Sequence, residues 1–284
     1  MKQFFYLGWW FFKTRFLGKR IPLQTVLFIS DRCNLRCKHC SVVSDNPLSK
    51  TYSQIKEELE FSYKLGSRFV DFEGGEVMLW RDGDKTINDL IDLAKNIGFF
   101  SSTITTNAQL PFTENHADSI WVSLDGLGKY HDEIRGEGAF KKLEENIRTA
   151  DHKHLSVNMV INSLNYTSLE ETLEYAKNSP YIESISFNFH TPFPGPEYLT
   201  LDKSIRKEVI EKIIDYKKRG YPIMNTKSGL RKMVDNNFKK YCWIINFIYP
   251  NGVRANCVNE NTEECMDCGF CMAGEISAMF SFSL

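Results

Sequence analysis

The chain reads as an α/β protein: a partial, TIM-like (β/α)6 barrel with a small C-terminal cysteine-rich β-hairpin extension. Three observations predict it. Six apolar, β-rich runs alternate with helical stretches between residues 25 and 219, only the third being followed by an irregular link, which implies a parallel sheet with right-handed crossovers. The polar motifs fall at the C-terminal ends of the strands, where such folds carry their chemistry. The rhythm stops near residue 220, and five of the eight cysteines lie beyond it.

The elements run in order. Thr25–Ser30 (TVLFIS) is a strand, and Ser53–Leu65 a helix with Thr51 and Gln54 spaced as a capping box. Arg68–Glu73 (RFVDFE) is the second strand and Thr86–Asn96 the second helix. Phe100–Asn107 is the third strand, followed by a polar, irregular link from Ala108 to Asp118. Ser119–Asp125 (SIWVSLD) is the fourth, with a helix near Phe140–Asp151. Leu155–Asn162 leads into a helix over Ser168–Lys177, and Glu183–His190 into a long helix over Asp202–Arg219. Beyond residue 220 the segments are shorter and loop-like. There Ile244–Tyr249, a Pro250-Asn251-Gly252 turn and Val253–Cys257 form a β-hairpin with a cysteine at each base. The chain thus divides into an aromatic and basic N-terminal helix (1–22), a barrel (23–225) and a cysteine-rich extension (226–284).

Composition bounds the function. Of 284 residues, 42% are hydrophobic and 25% charged, which is ordinary for a globular protein. The formal net charge is −1 and no basic block lies beyond the N-terminus, so nucleic acid is not an expected partner. The aromatic run from Phe4 to Phe12, followed by Lys13, Arg15, Lys19 and Arg20, is too short to span a bilayer. Its basic residues lie on the wrong side for a signal peptide, and no small-residue cleavage site follows. Two readings stand: a helix that packs on the barrel and closes one end, or an interfacial helix giving peripheral membrane contact through residues 1–20. The expected location is cytoplasmic, with membrane association under the second reading.

The cysteines are clustered, three at 33–40 and five at 242–271. Disulfide frameworks belong mostly to short secreted chains, whereas grouped cysteines in a long chain more often hold metal. Cys33, Cys37 and Cys40 come directly after the first strand with C-x3-C-x2-C spacing. Three thiolates on one loop can hold three irons of a cubane and leave the fourth open to a non-protein ligand. Zinc is the competing reading, but His39 adjoins Cys40, which makes joint ligation awkward.

This motif, placed after strand one of a partial barrel, resembles that of the radical S-adenosylmethionine (SAM) superfamily. The resemblance spans roughly residues 25–190 and implies that the open iron of a [4Fe–4S] cluster chelates the methionine end of SAM. It places His39, the residue before the third cysteine, near the adenine. Gly74-Gly75-Glu76 resembles the segment that binds the amino group, with Val77 where proline is usual. Thr105-Thr106-Asn107 resembles the family's TNG-type segment, with Ala108 in place of glycine. The family places the Ser and Asp of Ser123-Leu124-Asp125-Gly126 near ribose and substrate. Arg135 resembles an arginine that pairs with the SAM carboxylate, the alternative being a surface arginine paired with Glu133 or Glu137. Asn162, ending strand five, is a further polar candidate.

The second group reads Cys242-x9-Gly252-x4-Cys257, then Cys265-x2-Cys268-x2-Cys271. It resembles the auxiliary-cluster extension called SPASM or its shorter form, Twitch. Five cysteines rather than seven imply one auxiliary [4Fe–4S] cluster and a spare thiol among Cys265, Cys268 and Cys271. Four cysteines at this spacing suit a zinc hairpin as well. The resemblance implies an enzyme in which an external one-electron reductant, of ferredoxin or flavodoxin type, feeds the first cluster. Reductive cleavage of SAM then gives a 5′-deoxyadenosyl radical that takes hydrogen from a substrate at the barrel mouth. Small molecules, sugars, lipids and peptides are all open as substrates; the lack of an evident leader-binding domain weighs against peptides. An iron–sulfur electron carrier or scaffold and a zinc-stabilised binding protein are the competing classes. Neither needs the strand-end motifs.

Overall fold

A computed structural model describes residues 2–192, 194–257 and 263–282. Helix α1 (Lys2–Arg15) precedes the alternation β1 (Gln24–Ser30), α2 (Tyr52–Leu65), β2 (Phe69–Gly74), α3 (Ile87–Ile97), β3 (Ser101–Thr106), β4 (Ser119–Ser123), α4 (Lys129–Arg135), α5 (Ala139–Thr149), β5 (Leu155–Ile161), α6 (Leu169–Asn178), β6 (Ser184–Phe189) and α7 (Lys203–Lys218). Then come α8 (Lys227–Lys232), β7 (Ile245–Ile248), β8 (Arg254–Ala255) and α9 (Cys271–Phe280). The sheet order is β6-β5-β4-β3-β2-β1-β7-β8, parallel throughout except for the β7–β8 hairpin. It is an unclosed, partial barrel, as the alternation predicts.

Local chemistry explains the elements. Thr51 caps α2 by accepting from the Gln54 amide at 3.3 Å, and Gln54 reciprocates on the Thr51 amide at 2.8 Å. Between sheet and helices lies one continuous core that includes Leu27, Phe72, Ile104, Val122, Met159 and Phe187.

Three features depart from the sequence expectation. A seven-residue helix, α4, precedes α5 where the sequence predicts a single helix. The region after residue 220 is less loop-like than its sequence suggests, because α8 and the ten-residue α9 pack there. The hairpin is also no appendage: β7 pairs in parallel with β1, from Gln24–Ile245 to Leu27–Ile248, and extends the barrel sheet. Arg254 on β8 bonds Glu58 of α2 at 2.6 Å, and Lys50 lies 3.6 Å from the same carboxylate. Residues 258–262, between the hairpin and Cys265, lie outside the described residues.

Helix α1 lies across the end of the barrel where strands begin. Tyr6 donates to the Gly66 carbonyl and meets Phe100 edge-on, just ahead of β2 and β3. Trp10 is buried with Ile244, Ile276 and Phe280, and its Nε1 donates to the Ile21 carbonyl at 2.8 Å. Of the two readings, the packing helix that closes one end describes this face of α1. Helix α9 arrives from the other direction. Its first residue, Cys271, donates its N–H to Asn188 near the end of β6, and its last, Phe280, packs on Trp10.

Candidate functional site

The segment between β1 and α2 carries Cys33, Cys37 and Cys40 and has no regular secondary structure, yet it is pinned along its length. At its start, the Gly75 and Glu76 amides donate to the Ser30 and Arg32 carbonyls, both at 2.8 Å. In its middle, the Lys38 amide donates to Ile134 of α4 at 2.9 Å. At its end, the Lys50 amide donates to the Ile29 carbonyl at 2.9 Å and the Asp31 amide to the Leu48 carbonyl at 3.1 Å. A Cβ at Gly75 would sit 2.1 Å from the Arg32 carbonyl oxygen, so this backbone approach excludes any side chain there. The close approach that the Gly-Gly pair permits is thus to the cysteine loop itself.

Each sulfur faces a donor. The Leu35 amide lies 3.4 Å and Asn107 Nδ2 3.6 Å from Cys33 Sγ; the Val42 amide lies 3.5 Å from Cys40 Sγ; Arg135 Nη1 lies 3.9 Å from Cys37 Sγ. Burial raises the Cys33 and Cys37 thiols, Cys37 to about 11, against the opposing pull of Arg135. Donors aimed at sulfur favour the thiolate, the form that binds metal.

Behind the loop lies a buried ion pair. Arg135 Nε donates to Asp125 Oδ2 at 2.7 Å, and the Val160 amide donates to Oδ1 at 2.9 Å. Burial is the largest influence on the Asp125 carboxyl and pushes it up, but the Arg135 guanidinium, the His39 and His131 rings and the Val160 amide together outweigh it and hold the group below the usual carboxylate range. The alternative of a surface arginine paired with Glu133 or Glu137 therefore fails: α4 turns Arg135 inward. His39 Nε2 lies 3.8 Å from Asp125 Oδ2, and burial lowers the imidazole to about 4, so it is neutral at pH 7. His39 Nδ1 is buried with no partner among the described residues. His131 accepts from the Asp125 amide at 3.1 Å and is likewise lowered by burial, to about 3.

Glu76 is buried, with its carboxylate accepting from Thr106 Oγ1, the Asn107 amide (both 2.7 Å) and the Met78 amide at 3.0 Å. The end of β2 is thereby locked to the end of β3. Ala108, where the resemblance expects glycine, takes a left-handed φ of 55°. Its amide donates to Thr106 Oγ1 at 3.1 Å, which offsets part of a strain that glycine would not meet. Ser123 ends β4, half-buried. Asn162 is fully buried, and its side chain serves its own turn: Oδ1 accepts from the Leu164 amide and Nδ2 donates to Val160. The structure thus gathers His39, Asn107, Asp125 and Arg135 around the cysteine loop, whereas Asn162 builds the turn after β5.

One set of residues escapes the sequence reading. Asp71 and Glu73 on β2 alternate with the buried Val70 and Phe72, and their half-buried side chains share the other face with Thr105 of β3. Gln24 donates to Asp71, and Thr105 Oγ1 donates to Glu73 Oε1 at 3.4 Å. Burial raises Asp71 to about 6 and Glu73 to about 7, the latter helped by Asp71. On β5 and β6, Asn158 accepts from Ser186 (2.9 Å) and Asn188 (3.1 Å). The sequence does carry a signal for this face. Parallel strands covered on both faces read as continuous apolar runs. RFVDFE and SFNF alternate instead, which marks one polar face.

The second cysteine group is drawn together. Cys242 hydrogen-bonds Cys257 and lies within electrostatic reach of Cys265 and Cys268; Cys268 likewise feels Cys257 and Cys265. Cys271 differs. It is buried in the main core at the start of α9, where burial pushes its thiol up, and Arg206 and Glu275 are its charged neighbours besides Cys268.

The donor sets fit iron–sulfur clusters. Among the described residues, no three His, Cys, Asp or Glu side chains converge on a point that one ion would fill. A cubane asks for something else: one thiolate per iron, with N–H groups aimed at the sulfurs. The first loop offers three thiols with donors. His39, beside Cys40, adds a buried Nδ1 with no partner among the described residues, of the kind a bound molecule satisfies.

A family model described as the Radical SAM superfamily matches residues 27–176, more than half of the chain. The pre-heme d1 synthase of Dinoroseobacter shibae is 28% identical over 172 residues, covering 56% of this chain and 41% of that protein. A probable GTP 3′,8-cyclase of Methanococcus aeolicus is 27% identical over 262 residues, covering 84% of this chain and 78% of that protein. The crystal structure of Streptococcus suis SuiB bound to the precursor peptide SuiA superposes with a TM-score of 0.66 at 17% identity, over 92% of this chain and 66% of that one. That last likeness is one of fold. The chain spans about two fifths of the first relative's length.

Proposed function

This chain belongs to the radical SAM superfamily, and from that premise we propose that it cleaves SAM reductively at a [4Fe–4S] cluster held by Cys33, Cys37 and Cys40. When bound, cluster and SAM supply a 5′-deoxyadenosyl radical that takes a hydrogen atom from the substrate. The chain's own residues hold and orient. The amides of Leu35 and Val42, with Asn107 and Arg135, stabilise thiolate charge at the three sulfurs. Gly74, Gly75 and Glu76 fix the loop's start and offer backbone groups to the amino end of SAM. Arg135, with Asp125 neutralising part of its charge, keeps Nη groups toward the same side for a carboxylate. His39, neutral and with Nδ1 to satisfy, is assigned to the adenine, and Ser123 to the ribose or substrate side. Asn162 acts through the turn that it builds. An external one-electron reductant of ferredoxin or flavodoxin type supplies the electron.

For residues 226–284 we propose an auxiliary [4Fe–4S] cluster on Cys242, Cys257, Cys265 and Cys268, with Cys271 as the spare thiol. The mutual proximity of the first four supports this, as does the placement of Cys271 in the core. The polar face bearing Asp71, Glu73, Thr105 and Asn158 favours a polar substrate, rich in hydroxyl, amide or amino groups, over an acyl chain.

The observation that carries the reading is the donor-lined thiol loop against the buried Asp125–Arg135 pair. Cys37→Ala tests it in an anaerobic assay with dithionite. Formation of 5′-deoxyadenosine should vanish. If it persists, the assignment fails.

A further inference from the structure

Helix α1 carries two apolar stripes where a surface helix of a globular protein carries one. Tyr6, Trp10 and Thr14, at i, i+4 and i+8, face the protein. Phe5, Trp9, Phe12 and Phe16, at i, i+4, i+7 and i+11, face outward and are 76%, 46%, 53% and 60% exposed. Phe4, at 80%, widens the outer stripe. The Phe16 amide donates to the Phe12 carbonyl at 3.0 Å, so this outer face stays helical to its end. Scattered exposed apolar residues need no explanation, but five large aromatics on one face do.

Charge says what covers them. Residues 1–30 hold Lys2, Lys13, Arg15, Lys19 and Arg20 and no Asp or Glu, in a chain whose net charge is −1. Lys13 Nζ lies 5.1 Å over the Trp9 ring and Arg15 lies 5.7 Å over Phe16, so the cations border the aromatics. A second copy of the chain fits poorly, because a two-fold interface would set this cationic patch against itself. An anionic bilayer surface fits: rings enter the headgroup boundary and the lysines and arginines reach the phosphates. No described helix is long and apolar enough to cross a membrane, so the contact is peripheral.

We propose that the outer face of α1 docks this protein on anionic lipid bilayers, with the strand-start end of the barrel against the membrane. The cysteine loop then stands a strand's length away, roughly 20 Å, and opens toward water. Substrate and reductant therefore approach from the aqueous side. This proposal holds whether or not the loop carries a cluster.

The test uses the full chain with phosphatidylcholine vesicles containing or lacking phosphatidylglycerol, in a co-sedimentation assay. Binding should be at least about tenfold tighter to the anionic vesicles and should weaken with salt. The triple variant Phe5→Ser, Trp9→Ser, Phe12→Ser should lose it with an unchanged melting temperature. Lys19→Glu with Arg20→Glu, outside the helix, should weaken it about tenfold or more without touching any packed residue. Absence of wild-type binding, or binding indifferent to both variants, overturns the proposal. A dimer in sedimentation equilibrium that the triple variant abolishes would assign the patch to a second copy, and overturns it too.

Discussion

The two cysteine groups make opposite use of the chain. Cys33, Cys37 and Cys40 ride a segment without regular structure at the barrel mouth, half-buried or exposed, held by backbone bonds to β1, β2 and α4. The second group is set into regular structure: Cys242 and Cys257 flank a hairpin that belongs to the barrel sheet, and Cys268 and Cys271 are buried. A reactive metal centre needs an open coordination position, and a closed one needs all its ligands from protein. Three thiols on an accessible loop suit the former. Four on a hairpin and its following turn suit the latter. The difference teaches that accessibility, and not thiol count alone, separates the two roles.

Substitutions can break or sharpen this comparison. The largest contrast is expected of Cys268→Ala. Anaerobically purified protein should lose about half its iron, from about eight to about four atoms per chain, yet still form 5′-deoxyadenosine. Equal loss of cleavage there and in Cys37→Ala would erase the distinction between the groups. Next is Arg135→Met, which leaves Asp125 buried and unpaired. Destabilisation of about 3–5 kcal/mol is expected in chemical denaturation, because breaking a buried pair strands a charge. A loss below about 1 kcal/mol would mean that the pair is not buried as described. Cys271→Ala should keep all the iron and cost about 1–2 kcal/mol for the small cavity in the core. Iron loss in this variant would move Cys271 into the ligand set.

A last effect concerns the polar face that Asp71 and Glu73 share with Thr105. A carboxyl raised on folding contributes stability at low pH that is lost as pH rises through its folded value. Glu73, with a folded value of about 7, should therefore make the apoprotein less stable between about pH 5 and 8. Glu73→Gln should flatten that slope by about 1–2 kcal/mol over the interval. An unchanged slope would show that Glu73 is ionised and hydrated in the fold.

Most of the frame is legible in the sequence, because alternation of apolar runs with helical stretches is a long-range signal that single residues hardly disturb. The capping box at Thr51 and Gln54 sets the start of α2 within a residue. What escapes has physical reasons. Helix α4 spans seven residues between Gly128 and Gly136, too short for periodicity to register, so the inward turn of Arg135 cannot be read. Helix α9 (CMAGEISAMF) is mostly buried and has no polar face to give a 3.6-residue pattern. Asp71 and Glu73 alternate visibly with apolar residues, but that Thr105 of β3 shares their face depends on strand pairing that no local pattern encodes. The pairing of β7 with β1 joins residues some 220 positions apart, and no local pattern encodes it.

The meeting of α9 with α1 sets a schedule for biosynthesis. Two of the side chains that bury Trp10, Ile276 and Phe280, are made some 265 residues after it. At ordinary rates of translation that interval is on the order of tens of seconds. Until α9 emerges Trp10 lacks two of the side chains that cover it, and for most of that time β1 lacks its β7 neighbour. A chaperone that shields the nascent chain would hold this helix until α9 is made.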